Sequence, residues 1–170
     1  MSELVGRTME LLAETKGGFT SAVKNIFNTR TMATLKISDL SVGDWVKCGR
    51  WSGRIQRIAM HDEVEEVLIE TDLGRLYMYK RVDELDSIPI TPGKLEANGF
   101  VKNGGVYIWS NKKYRVFLGL MELYHFVEIE EMDKQLVTKS SRIEVSQLYV
   151  HQLQHALRLA GVEKEIELWN

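Results

Sequence analysis

Hydrophobic and polar positions along this chain change period at about residue 32. Before it, apolar residues recur at helical spacing in two short runs separated by Gly17 and Gly18. Leu4, Leu11 and Leu12 follow i, i+7, i+8; Phe19, Val23, Ile26 and Phe27 follow i, i+4, i+7, i+8, with Thr20 or Ser21 placed to cap the second run. The spacing predicts an N-terminal helical arm over residues 1–31. Helices this short are marginal alone in water, so their stripes need a surface, either the body of this protein or another chain. On the second alternative these seven apolar residues are the partner-binding set.

After residue 32 the period shortens to two. Ser38 to Asp44 reads as a turn-rich lead into a strand at Trp45-Val46-Lys47-Cys48, and Trp51-Ser52-Gly53 as a tight turn into a strand over residues 54–60. Val67-Leu68-Ile69 and Leu76-Tyr77-Met78-Tyr79 give two more strands around a turn at Asp72-Leu73-Gly74. Four short strands with such turns predict a curled antiparallel meander or small SH3-like barrel over residues 32–90. Thr91 then caps a short helix with Pro92 at its first position, ending at Asn98-Gly99.

A second β unit fills residues 91–170. Strands are expected over residues 106–109, 114–121 and 123–129, with turns at Asn103-Gly104-Gly105 and at residues 110–113. Tyr114, Val116, Leu118 and Leu120 alternate with Arg115, Phe117 and Gly119, and His125, Val127 and Ile129 share the inward face of the next strand. A polar loop is expected around Lys139-Ser140-Ser141. A helix follows from about Ser146 to Ala160, its stripe made of Tyr149, Leu153, Ala156, Leu157 and Ala160 and its stop supplied by Gly161. Residues 163–169 read as a last short strand or extended tail. The fold class is α+β: two antiparallel units sharing one core, covered by a C-terminal helix and preceded by the arm.

Composition narrows the classes. Hydrophobic residues at 44% and charged residues at 27% are ordinary globular usage, which excludes global disorder. A net charge of −2 gives no general attraction to nucleic acid or to an anionic membrane. The arm holds four basic residues against three acidic ones, which disfavours a membrane-surface helix. No secretory signal opens the chain, and no run approaches the roughly 18 apolar residues of a membrane span. With a single cysteine, Cys48, the expectation is a cytoplasmic protein of a host cell or a virion component, with no membrane partner.

Five segments taken in order carry a resemblance: Val42-Gly43-Asp44-Trp45-Val46, Ile88-Pro89-Ile90-Thr91, Asn98-Gly99-Phe100, Tyr149-Val150-His151-Gln152-Leu153-Gln154 and Gly161-Val162-Glu163. Together they resemble a group of small uncharacterised proteins of gut Bacteroidetes, their prophages and their phages. The resemblance spans about residues 35–168 and implies a fold and a phage or mobile-element origin, not an activity. Members of that group begin near the position of Lys36, so that Met32 is an alternative start or residues 1–31 are an addition.

No motif of catalysis is present. His151 and His155 share a helix face at i, i+4, but the helix offers no third ligand and the pattern is not His-Glu-x-x-His, so a half-buried polar edge is the expectation and no cofactor or metal is assigned. Cys48 reads as a buried strand residue, and Ser52, Ser140 and Ser141 lack a nucleophile elbow. Asp62, Glu63, Glu65 and Glu66 read as a solvated hairpin tip.

Lys47, Arg50, Trp51, Arg54 and Arg57, beside Trp45, interleave aromatics with cations over thirteen positions, as single-strand nucleic-acid modules do. Against this, residues 39–86 hold eleven acidic and seven basic residues, a balance of −4, and Trp45 in the core with the arginines paired to Glu65 and Glu66 accounts for the same pattern. The leading expectation is therefore a non-catalytic interaction protein of phage or mobile-element type, a virion component or host-directed factor acting on a protein partner or by self-association. The alternative is a nucleic-acid-binding module that uses the Trp51 surface.

Overall fold

The computed structural model describes residues 35–71 and 76–168. The arm with Leu4, Leu11, Leu12, Phe19, Val23, Ile26 and Phe27, and the turn at Asp72-Leu73-Gly74, lie outside the described residues. The architecture is α+β, with two antiparallel sheets and a C-terminal helix. The first sheet orders β1 (Trp45–Cys48), β2 (Trp51–His61), β3 (Val64–Thr71) and β4 (Tyr77–Arg81) as a meander. The second orders β5 (Val101–Asn103), β6 (Val106–Ser110), β7 (Tyr114–Leu120), β8 (His125–Asp133) and β9 (Leu136–Val145) likewise. Helix α1 (Pro92–Ala97) links the sheets and α2 (Val150–Leu159) follows the second.

The first sheet does not close into a barrel. Among the described residues β1 and β4 remain its two edges, and β1 is extended only by the bridge between Lys47 and Asp86. A small core of Leu35, Leu40, Val46, Cys48, Ile55, Val67, Ile69, Val82 and Leu85 packs on one of its faces instead. Trp45 points the other way, as strand alternation requires, into a larger core with Tyr107, Val116, Leu118, Val127, Leu153 and Leu157. That larger core also takes Ile88 and Ile90. β1 is therefore a wall between two cores, and Trp45→Ala would remove an aromatic from the larger one at a cost of about 3–5 kcal/mol.

Several elements fall elsewhere than expected. The turn before β2 is at Gly49 and Arg50, with Gly49 at φ +59°, and Trp51-Ser52-Gly53 is strand. Gly53 is small because Ile69 and the backbone of Glu70 pack against it across the sheet, a packing role rather than a turn. Residues 139–141 belong to β9, not to a loop; the backbone ladder with β8 holds them although their side chains show no apolar alternation. Helix α2 begins at Val150 and not Ser146 because residues 148–150 pair with residues 88–90: Ile90 N–H donates to Leu148 O (3.0 Å) and Val150 N–H to Ile88 O (2.8 Å). β8 starts at His125 and runs on to Asp133, past the expected residue 129.

Candidate functional site

The largest gathering of buried polar groups sits where the first sheet meets α2. Asp44, fully buried, occupies the turn that launches β1. Its Oδ2 accepts the Ser41 N–H (2.7 Å), which closes the turn, and its Oδ1 accepts from Arg158 Nη1 (2.8 Å) on the last turn of α2. His155 Nε2 lies 2.6 Å from Oδ2, at ion-pair distance but off the direction of a hydrogen bond. Around this hub Trp45 N–H donates to Gln154 Oε1 (3.3 Å), and Trp45 Nε1 donates to the carbonyl of Ile166 (2.7 Å). Arg54 pairs with Glu165 and donates from Nε to Gly43 O (3.1 Å).

His151, one turn before His155, is buried, and its ring stacks parallel to Tyr149 at 6.0 Å between centroids and edge-on to His155 at 6.4 Å. Its Nδ1 has no hydrogen-bond partner among the described residues. Burial pushes its pKa down to about 4, against the opposing pull of Asp44, so the ring is neutral near neutral pH. His125 is also shifted down by burial, and its Nδ1 accepts the Leu148 N–H (3.1 Å), which fixes the proton of the neutral ring on Nε2.

Thus His155 does meet a carboxylate, whose charge His151 also feels, but one lying 107 residues or more away in sequence, with oxygens held by a backbone N–H and an arginine. Among the described residues no group of three or more His, Cys, Asp or Glu is arranged to hold a metal ion. Cys48 points to the smaller core on the other face of β1. What this arrangement does chemically is to neutralise a buried carboxylate and tie α2 to the first sheet. Asn98 makes a second tie: its Nδ2 donates to Glu167 O and its Oδ1 accepts Glu167 N–H, both at 2.7 Å, so the side chain imitates a strand and pins the C-terminal tail.

The Trp and Arg surface is divided. Register places Trp51 opposite Cys48, on the face of β2 that looks toward the small core, while Lys47 pairs with Ser52 and Arg54 with Trp45 on the opposite face. Arg57 joins Arg54 on that face through the irregularity between Ile55 and Arg57, lying opposite Leu68. Arg50 stacks on the Trp51 ring at 4.5 Å. Arg54 is engaged by Glu165, not by Glu65 or Glu66. Only Arg57 and Lys47 stand out from this set toward solvent on the shared face.

Two sheet faces carry partly exposed rows: that of the first sheet which meets α2 at Trp45, and that of the second sheet turned away from the larger core. On the first, Tyr79, Leu68 and Arg57 form one row, Tyr77, Glu70 and Arg54 the next, with Tyr77 54% and Tyr79 59% exposed. On the second, Val101, Ile108 and Phe117 form an apolar row that continues into Glu128 and Arg142. Phe126 lies over Gly119 on this same face, under the Arg142 guanidinium at 4.0 Å, and belongs to neither core. Sequence alternation marked Phe117 and Gly119 as outward; it gave no sign that Phe126 would cover the glycine. No helix among the described residues is long and apolar enough to cross a membrane. Comparison with known proteins finds no matching family model, no matching curated protein and no matching solved structure.

Proposed function

We propose that this chain is a non-catalytic interaction protein that works by protein–protein contact; the resemblance to phage and mobile-element proteins adds a role as virion component or host-directed factor. The observation that carries the reading is the apolar row Val101, Ile108 and Phe117 on the face of the second sheet turned away from the larger core, bordered by ion pairs between Arg115 and Glu130 and between Arg142 and Glu128. An apolar centre with a paired polar rim is the anatomy of a protein interface. A contiguous row on one sheet face is also more informative than the same residues scattered singly. The buried carboxylate and histidines support the same reading, because their partners are structural. Nucleic-acid binding ranks second: Glu66, Glu70 and Asp83 stand near Arg57 and Arg81, so the phosphate-attracting field is weak.

The test is capture of partners from the native cell by the full chain, by Phe117→Lys, and by a chain starting at Met32. A partner retained by the parent and lost from Phe117→Lys, with the melting temperature held within a few degrees, supports the face. Loss only in the shortened chain assigns the contact to the arm. Identical capture by all three, or none by any, overturns the proposal.

A further inference from the structure

Among the described residues β4 is an edge strand with no partner on its outer side, and its outward backbone groups can be assigned residue by residue. Thr71 N–H donates to Leu76 O (3.0 Å), which makes Thr71 and Leu76 a hydrogen-bonded pair of the β3–β4 ladder. The pairs Leu68↔Tyr79, Ile69↔Met78 and Glu70↔Tyr77 continue that register. Because hydrogen-bonded and open pairs alternate, Met78 and Lys80 bond to β3, whereas Tyr77, Tyr79 and Arg81 turn their N–H and C=O away from the sheet. The Arg81 N–H fits this assignment, since it donates to the Glu84 carboxylate (3.0 Å) and not to β3. Tyr77 and Tyr79 keep four main-chain groups facing outward at an edge strand, the feature through which sheets recruit another strand.

The edge is also self-complementary. Two copies related by a two-fold axis through Met78 set Tyr77 opposite Tyr79 of the second copy, twice, and Met78 opposite Met78. All eight outward groups of the two tyrosine pairs are then satisfied in four backbone hydrogen bonds, and the Arg81 cap is left intact. Four tyrosines meet on one face, and cross-strand aromatic pairs are among the favourable ones. Cations usually guard an edge against such pairing. Here Lys80 is held by Glu84 (3.2 Å) and Arg81 by Asp83 (2.7 Å), so each copy neutralises its own guards.

We propose that β4 pairs antiparallel with β4 of a second copy of this chain, in the register centred on Met78, joining the two four-stranded sheets into one of eight strands. The proposal deepens the interaction reading by naming one partner and one surface, and it uses a different part of the molecule from the Phe117 face.

Sedimentation of the full chain up to about 1 mM tests it, because an edge contact of this size dissociates in the micromolar to millimolar range. A concentration-dependent dimer is expected. Tyr79→Pro removes one outward N–H per copy while Met78 and Lys80 keep the β3 ladder, so the fold is retained and association weakens about 30-fold. Met78→Cys should form a disulfide-linked dimer on mild oxidation, since the two thiols face each other in an open pair and Cys48 is buried. A monomer at every concentration, a dimer equally strong in Tyr79→Pro, or no cross-link through Met78→Cys overturns the pairing. If Tyr79→Pro fails to fold, the cross-link decides alone. A monomer that still captures its partner through Phe117 would sink this pairing and leave the interaction reading standing.

Discussion

Asp44 shows how one residue can carry a junction. A carboxylate with no solvent access is tolerable only where hydrogen bonds and opposite charge replace water, and Ser41 N–H and Arg158 do so. Asp44→Ala leaves Arg158 without its anion and should cost roughly 3 kcal/mol in urea denaturation, the low end of the range for breaking a buried pair because Arg158 is partly exposed. Arg158→Ala should cost less. Gly119 poses a packing problem: a Cβ there would overlap the Phe126 ring. Gly119→Ala should destabilise by about 2 kcal/mol, and Phe126→Leu should lessen that penalty in a double-mutant cycle. Additivity between the two substitutions would show that the ring does not rest on the glycine.

At the scale of elements, the sequence revealed those whose side chains alternate. β7 and the inward side of β8 were legible because Tyr114, Val116 and Leu118 each bury against Ile129 or Val127 neighbours. The Thr91 cap and Pro92 start of α1 were legible from local chemistry, and the Thr91 hydroxyl does accept the Lys94 N–H. β9 was hidden, since its first five residues are exposed on both faces and nothing in Thr138, Lys139, Ser140 and Ser141 alternates. The hairpin tip after β2 was legible from its charged run, but the end of β8 was hidden for another reason: its turn at Lys134-Gln135, like Asp62-Glu63, has both residues at positive φ without the glycine that normally signals such a turn. Those positions are strained for side chains with a Cβ, by about 1 kcal/mol each. Replacing Lys134-Gln135 by Asn-Gly should therefore raise stability by roughly 1 kcal/mol and the melting temperature by a few degrees in calorimetry. No gain would mean that the turn is relaxed. The Asp44 hub was out of reach of sequence reasoning, because Arg158 lies 114 residues from Asp44 along the chain.

At the scale of the molecule, the two cores meet along β1 and are held together by α2, so the buried helix histidine couples the junction to pH. His151 is surrounded by His155 on its own helix, by Tyr149 at the helix start, and by Asp44 and Asp39 from the approach to β1. Its pKa is near 6.5 in the unfolded chain and about 4 in the fold, so between those values the unfolded chain holds more protons. Stability is then fully present above about pH 7 and falls as pH drops toward 4, by on the order of 3 kcal/mol if His151 keeps its whole shift. His125 acts in the same direction, because protonation at Nδ1 would break its bond from Leu148 N–H. Urea titrations at about pH 7 and pH 4.5 measure the slope, and His151→Phe, which keeps the ring stacked on Tyr149 but cannot take a proton, should flatten most of it. Since His151 packs at the junction rather than inside either sheet, acid should loosen α2 before the strands melt. Amide exchange at mildly acidic pH would then rise first over residues 150–159 while β7 and β8 stay protected, and uniform loss of protection would show that the junction and the sheets unfold as one unit.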